Sequence, residues 1–166
     1  MRSFYFFIIF ILCVDSFFCK PGDIIKSISL DLNFQTGITF EKGNLWVCDR
    51  EKDSIYCYNM KEQKIVKSIP SPQYWPVGLT FDGKYLWNCD RKTGKAYQLD
   101  MDNGDILKSL ELPVSSPAGI AWDGNTLWVA GEKNGKIYKI DLSDGTGIME
   151  IPVPVKYCSG LVYDGN

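Results

Sequence analysis

The sequence contains a 41-residue repeat, which aligns in three consecutive copies without a gap and narrows the possible folds. The copies cover residues 37–77, 78–118 and 119–159, and a fourth copy begins at residue 160. A Leu-Trp pair and a later tyrosine recur at matching positions of every complete copy. Because a unit of this size cannot bury its own apolar face, a fixed period predicts that neighbouring copies stack on one another.

Turn signals divide each copy into four short segments with the composition of β-strands. In the second copy the strands are predicted at residues 79–81, 85–89, 95–99 and 106–112. Asp82-Gly83 and Thr93-Gly94 separate the first three, and such pairs tolerate the positive φ that tight hairpins need. Pro113 and Pro117 are predicted to lie in the loop to the next copy, since proline lacks the N–H that a strand uses.

Four antiparallel strands in every copy predict an all-β fold, a β-propeller with three complete blades and flanking strands in a partial ring. Residues 22–30 match residues 104–112 at twice the period, so residues 22–36 are predicted to give the outer strand of a closing blade. The propeller would cover residues 22–166, with residues 160–166 starting a fourth blade. We expect further blades in a longer protein to close the ring, and association of several copies is the alternative. A β-sandwich is less favoured because it does not require a fixed period.

The residues before the repeat have the pattern of a secretion signal. An apolar run at residues 4–12 follows Arg2, which predicts a signal peptide over residues 1–16 and a linker over residues 17–21. A lipoprotein signal with Cys19 as the lipidated residue and an uncleaved N-terminal anchor are the alternatives. All three place the propeller outside the cytoplasm, and no membrane span is predicted once the signal is removed.

Charge and composition exclude some classes of partner and chemistry. The formal net charge is −2 and the basic residues form no block, which argues against binding to nucleic acid. The sequence contains no histidine, the commonest general base and zinc ligand. We therefore predict no metal site and no cofactor, and no catalytic residue can be assigned.

The pattern LW…DR…GKIYKID…GDILKS resembles extracytoplasmic propellers of the NHL, YVTN and streptogramin-lyase-like type. It is also similar to propellers of the glutamine cyclotransferase-like type. The resemblance implies the fold and two classes of function, a binding scaffold or an enzyme of lyase, lactonase or glutaminyl cyclotransferase type. An enzyme of the lactonase or lyase type would bring a divalent metal, and part of its active site would lie in further blades.

Ligand-binding candidates come from two kinds of loop that share one face of a propeller. These are the loops from the second to the third strand of a blade and from the fourth strand to the next blade. The candidates are Phe34, Asp49, Arg50, Tyr74, Trp75, Asp90, Arg91, Glu132 and Tyr157. Aromatic rings beside charges suit a peptide, glycan or protein ligand. The alternative is structural, with the Asp-Arg pairs as turn caps and blade-to-blade ion pairs and the rings as loop packing.

Cysteines in a secreted chain predict disulfides, and one pair has a plausible geometry. If the turn after the second strand centres on Lys52-Asp53, Cys48 and Cys57 oppose each other on neighbouring strands and can form a disulfide. A bridge from Cys48 to Cys89, its equivalent in the next blade, is the alternative. Stacked sheets lie about 10 Å apart, which disfavours that second pairing.

Overall fold

The computed structural model describes residues 23–24, 26–155 and 157–165. The predicted signal peptide and linker lie outside the described residues. The chain divides into two compact units, residues 1–31 and 32–166, and the described residues of the first unit form no strand. The role of residues 22–30 as the outer strand of a closing blade stays a prediction. In the described part of the chain, no helix has the length and hydrophobicity needed to span a bilayer.

Twelve strands in the second unit form three separate sheets of four antiparallel strands each. Consecutive strands pair within each sheet, so every sheet is a simple meander. The first sheet contains β1 (Gln35–Glu41), β2 (Asn44–Asp49), β3 (Ser54–Asn59) and β4 (Lys64–Pro70). The second contains β5 (Pro76–Phe81), β6 (Leu86–Asp90), β7 (Lys95–Leu99) and β8 (Ile106–Glu111). The third contains β9 (Pro117–Trp122), β10 (Leu127–Gly131), β11 (Lys136–Ile140) and β12 (Gly147–Pro152).

These sheets are the three predicted blades, and they pack face to face as propeller blades do. One core cluster joins the first two sheets, with Trp46 and Ile55 packed near Leu86 and Leu99. A second cluster joins the second and third sheets, with Trp87 packed near Leu127 and Val129. The predicted all-β class and the propeller-like stacking are therefore confirmed.

The first strand of the second and third blades begins earlier than predicted. Pro117 begins β9, and its equivalent Pro76 begins β5, so neither proline lies in the connecting loop. The first residue of a strand can be proline where its missing N–H is not needed for the sheet. Both prolines also sit where the register with the next strand shifts, at a bulge.

Glycines let the first strands of neighbouring blades approach closely. A Cβ atom built on Gly37 would lie 2.9 Å from the backbone nitrogen of Leu79, and one on Gly78 would lie 2.9 Å from that of Ile120. Gly119 repeats this geometry, since its Cβ would lie 2.6 Å from the nitrogen of Leu161. Real Cβ contacts are not this short, so only glycine fits at this position of the first strand of each blade.

The predicted disulfide between Cys48 and Cys57 is wrong. The turn between β2 and β3 is a four-residue loop, which places Cys48 opposite Ile55 and Cys57 opposite Trp46. The two cysteines are therefore diagonal neighbours, whose Cβ atoms lie about 7 Å apart in a regular sheet and too far for a bridge. Cys48, Cys57 and Cys89 are all buried free thiols in the structure, which contains no bridge between Cys48 and Cys89 either. Burial raises the pKa of the Cys89 thiol to about 12.

Candidate functional site

The loops that carry the candidates meet at one end of each blade. The backbone N–H of Arg50, just after β2, donates to the carbonyl of Phe34, just before β1, at 3.0 Å. The same bond joins Arg91 to Trp75 at 3.0 Å and Glu132 to Ser116 at 2.9 Å. The residue after the second strand is thus tied to the residue before the first strand in all three blades. We call the end of the blades where these loops lie the loop face.

Asp49 is a structural cap that joins the two loops of the first blade. Its buried carboxylate accepts backbone N–H groups from Asn33 at 2.9 Å and from Phe34 at 3.3 Å. It also accepts those of Glu51 and Lys52 within its own loop, at 2.9 and 3.3 Å. Burial of the carboxyl raises its pKa, but the four N–H donors outweigh burial and hold the pKa below its usual 3.8.

Asp90 plays the same part in the second blade. Its carboxylate accepts the backbone N–H of Trp75 at 2.6 Å and both the N–H and the hydroxyl of Thr93, at 2.8 and 3.1 Å. Like Asp49, it is fully buried. Both aspartates therefore have the capping role of the structural alternative, and their carboxylates are already engaged by the protein.

The third blade replaces the cap by another arrangement. Gly131 occupies the position of the aspartate, and the amide of Asn134 lies over it, so that a Cβ on Gly131 would be 2.4 Å from the Asn134 oxygen. The Asn134 oxygen accepts the N–H of Lys136 at 3.2 Å, and its nitrogen donates to the Tyr138 hydroxyl at 3.3 Å. Sequence reasoning missed Asn134, although its equivalence to Thr93 in the repeat was a usable signal.

Arginine and aromatic side chains alternate across the first two blades. The guanidinium carbon of Arg50 lies 3.9 Å from the ring centroid of Phe34 in its own blade and 4.7 Å from that of Trp75 in the next. The guanidinium carbon of Arg91 lies 5.7 Å from the Trp75 centroid. These are cation–π distances, each worth about 0.5–2 kcal/mol depending on exposure.

An ion pair continues this arrangement into the third blade. Arg91 Nη1 lies 3.4 Å from Glu132 Oε1, and both side chains are about three-quarters buried. The Nε of Arg91 is buried and has no hydrogen-bond partner. The structure thus brings together Phe34, Arg50, Trp75, Arg91 and Glu132, and we call these five residues the cation stack.

Two predicted aromatic candidates lie outside the cation stack. Tyr74 is exposed, and the Lys92 ammonium lies 5.1 Å from its ring centroid. Tyr157 is also exposed. Lys92 was not a sequence candidate, because surface lysines are common and no pattern singled it out. Among the described residues, no group of three or more His, Cys, Asp or Glu side chains is placed to hold a metal ion.

Comparison with known proteins identifies the fold. No protein-family model matches the chain, and no curated protein sequence matches it. Among solved structures, Myxococcus xanthus glutaminyl cyclase superposes with a TM-score of 0.65 at 10% identity over 79% of this chain. Hydrazine synthase from Kuenenia stuttgartiensis gives a TM-score of 0.62 at 20% identity over 84% of this chain.

A third similar structure is a catalytically inactive variant of virginiamycin B lyase from Staphylococcus aureus, crystallised with quinupristin. It gives a TM-score of 0.55 at 25% identity over 73% of this chain. This chain spans 63% of the glutaminyl cyclase chain and 42% of each of the other two. The similarity confirms the predicted resemblance to β-propeller proteins of the lyase and glutaminyl cyclase types at the level of the fold.

Proposed function

We propose that this protein is a secreted propeller that binds a ligand through the loop face, with the cation stack as the centre of the binding surface. The observation that carries the proposal is the contact of the Arg50 guanidinium with two aromatic rings, those of Phe34 and Trp75. A guanidinium that contacts two rings has fewer orientations available before any ligand arrives. Little side-chain entropy is then lost on binding, which favours affinity.

The exposure of the aromatic side chains around the stack supports the same role. Phe34, Tyr74 and Tyr157 are exposed, and Trp75 is 36% exposed. Large aromatic residues on a surface are costly to solvate and are enriched where proteins bind partners. Asp49 and Asp90 hold the loops that carry the cation stack in place by accepting backbone N–H groups from them.

Secretion is supported by the apolar run at residues 4–12 and the residues that follow it. The N-terminus of the protein released by its own cells tests this part of the proposal. Release with a new N-terminus near residue 17 is expected, and retention of the protein in the cytoplasm would contradict it.

A binding screen against immobilised glycans and peptides tests the binding role. Ligands found with the wild-type protein should be lost or weakened with Arg50→Gln and with Trp75→Ala. Lys84→Gln is the matched control, since Lys84 is also a cation over a ring, 4.6 Å from the Tyr85 centroid, but lies at the opposite end of the blade. A ligand whose binding is insensitive to both loop-face variants would contradict the proposal. Turnover of a ligand would indicate the lyase, lactonase or cyclotransferase alternative.

A further inference from the structure

Arg50 contacts two aromatic rings and carries N–H donors that such ring contacts do not use. The guanidinium carbon of Arg50 lies over the ring of Phe34, 3.9 Å from its centroid, and over the ring of Trp75, 4.7 Å from its centroid. The N–H donors of a guanidinium lie in its plane and project from its edges, so stacking does not consume them. In the described part of the chain, no carboxylate lies within 4.0 Å of the Arg50 guanidinium. Arg50 therefore lacks the acid that its neighbour possesses.

The repeat shows what such an acid would be. Arg91 stands 41 positions after Arg50, and Glu132 stands 41 positions after Arg91. Arg91 forms its ion pair with the side chain at the equivalent position of the next blade, which is Glu132. For Arg50 the equivalent position in the next blade holds Arg91, a second cation. The cation stack thus contains two cations and one carboxylate, and a further carboxylate would balance it.

The surroundings of the stack favour a flat ligand over an inserted side chain. A cavity of about 550 Å³ is lined by residues such as Phe40 and Trp122, and none of its lining residues belongs to the cation stack. Peptides are commonly held by side-chain pockets or by an open strand edge, and the stack offers partly exposed aromatic rings and the Arg50 cation instead. Sugar rings pack on aromatic surfaces without needing a pocket.

We propose that the cation stack binds a carboxylate-bearing sugar, a uronic acid unit of an acidic glycan. The sugar carboxylate would accept paired N–H donors from the edge of Arg50, and its ring would pack beside Trp75 and Tyr74. Charge-assisted pairing of this kind is stronger than a neutral hydrogen bond and depends on the fork geometry of arginine. This inference names the ligand class of the proposed binding surface and therefore rests on the proposed function.

Calorimetric titration with four defined probes tests the ligand class. The probes are trigalacturonate, its methyl ester, a neutral galactose trimer and an acidic peptide with free glutamate side chains. Trigalacturonate should bind, and its methyl ester should bind at least about tenfold more weakly because the ester cannot form the charged pair. Equal binding of the ester, or preference for the peptide, would overturn the carboxylate-sugar inference while leaving the loop face as a binding surface.

Variants at Arg50 separate recognition from a structural effect. Arg50→Gln should weaken trigalacturonate binding at least about tenfold, and Arg50→Lys should also weaken it, since lysine keeps the charge without the fork. Binding to the wild-type protein should weaken with added salt more steeply than binding to Arg50→Gln. Unchanged affinity in a folded Arg50→Gln protein would overturn the inference. If none of the four probes bound, the inference would fall, and the screen of glycans and peptides would decide the proposed function separately.

Discussion

Two buried carboxylates, Asp49 and Asp90, hold the loop face in shape in the first two blades, and the third blade has no carboxylate at this position. Each aspartate ties the loop before the first strand to the loop after the second strand through backbone N–H groups. In the third blade Asn134 fills the space of the missing carboxylate above Gly131. The identity of the capping residue therefore depends on its partner three positions later, Thr93 in one blade and Asn134 in the other.

This dependence predicts coupling between positions 131 and 134. Gly131→Asp alone must displace the Asn134 amide from its bonds to Lys136 and Tyr138, which offsets the new cap. Gly131→Asp combined with Asn134→Thr recreates the cap of the second blade and should raise the free energy of unfolding by about 1 kcal/mol. Urea unfolding of the wild type, both single variants and the double variant measures the coupling. A double variant no more stable than Gly131→Asp alone would rule it out.

Asp123 lies in the turn between β9 and β10, and its lowered pKa predicts that the fold loses stability in acid. Burial of its carboxyl raises its pKa, but N–H donors from Thr126, Trp128 and Asn125 and the charge of Lys139 lower it to about 2. Because this pKa lies below the usual 3.8, the carboxylate stabilises the fold above about pH 4, and its contribution is lost as the pH falls toward 2.

Comparison with Asp123→Asn isolates this contribution. The wild type should be more stable than Asp123→Asn at pH 5, and the difference should shrink as the pH is lowered from 4 toward 2. Thermal unfolding of both proteins across this range is the measurement. A difference that stayed constant with pH would assign the effect to lost packing instead of charge.

At the scale of the element, the strands were predictable from the sequence but their register was not. Apolar runs bounded by Gly, Pro and Asn placed the strands close to their observed bounds, because these residues act through local backbone geometry. The register of a hairpin depends on the number of residues in its loop. The position of the residue with positive φ did not determine that number for the loop between β2 and β3. Asp53 has a φ of 45° as the last residue of a four-residue loop, and the sequence prediction placed it at the centre of the turn.

The corrected register predicts that Cys48 and Cys57 are reduced. Alkylation of the denatured protein without reductant should label both residues, since they are diagonal neighbours that cannot bridge. Peptide mapping by mass spectrometry is the measurement, and the same mapping after treatment with a reductant is the control. A peptide pair linked through these two residues, released only by reductant, would contradict the register.

The residues of the candidate site were largely predictable, but their grouping was not. The repeat identified Arg50, Arg91 and Glu132 as loop residues because equivalent positions share a place in the blade. That Arg50 contacts the next blade and that Arg91 pairs with Glu132 depends on how neighbouring blades are rotated against each other. The length of the repeat gives no information on this rotation between blades.

At the scale of the whole molecule, the first and third blades each have an open face. Ile38 is 61% exposed, whereas its equivalents Leu79 and Ile120 are 4% and 2% exposed between blades. Ile151 on the third blade is 43% exposed, whereas its equivalent Ile69 is 2% exposed. Positions that the repeat buries elsewhere therefore lie open at both ends of the row of blades. Open apolar faces of this kind favour contact with another blade.

The open face of the first blade predicts self-association of this chain. The weight-average mass in sedimentation experiments should rise with concentration and should fall when Ile38→Lys and Phe40→Lys are combined. Ile106→Lys with Leu107→Lys is the matched control, because these residues are exposed on the outermost strand of the second blade. A wild-type protein that stays monomeric, or a control pair with the same effect as the first pair, would contradict a role for the open face.

Hydrogen exchange with and without a bound ligand shows whether ligands bind at the loop face. Backbone N–H groups in residues 71–76 and 91–94, which carry Trp75, Tyr74 and Arg91, should exchange more slowly when the ligand is bound. The turns at residues 82–85 and 123–126, at the opposite end of the blades, should exchange at unchanged rates. Slower exchange confined to those opposite turns or to the outermost strands would contradict ligand binding at the loop face.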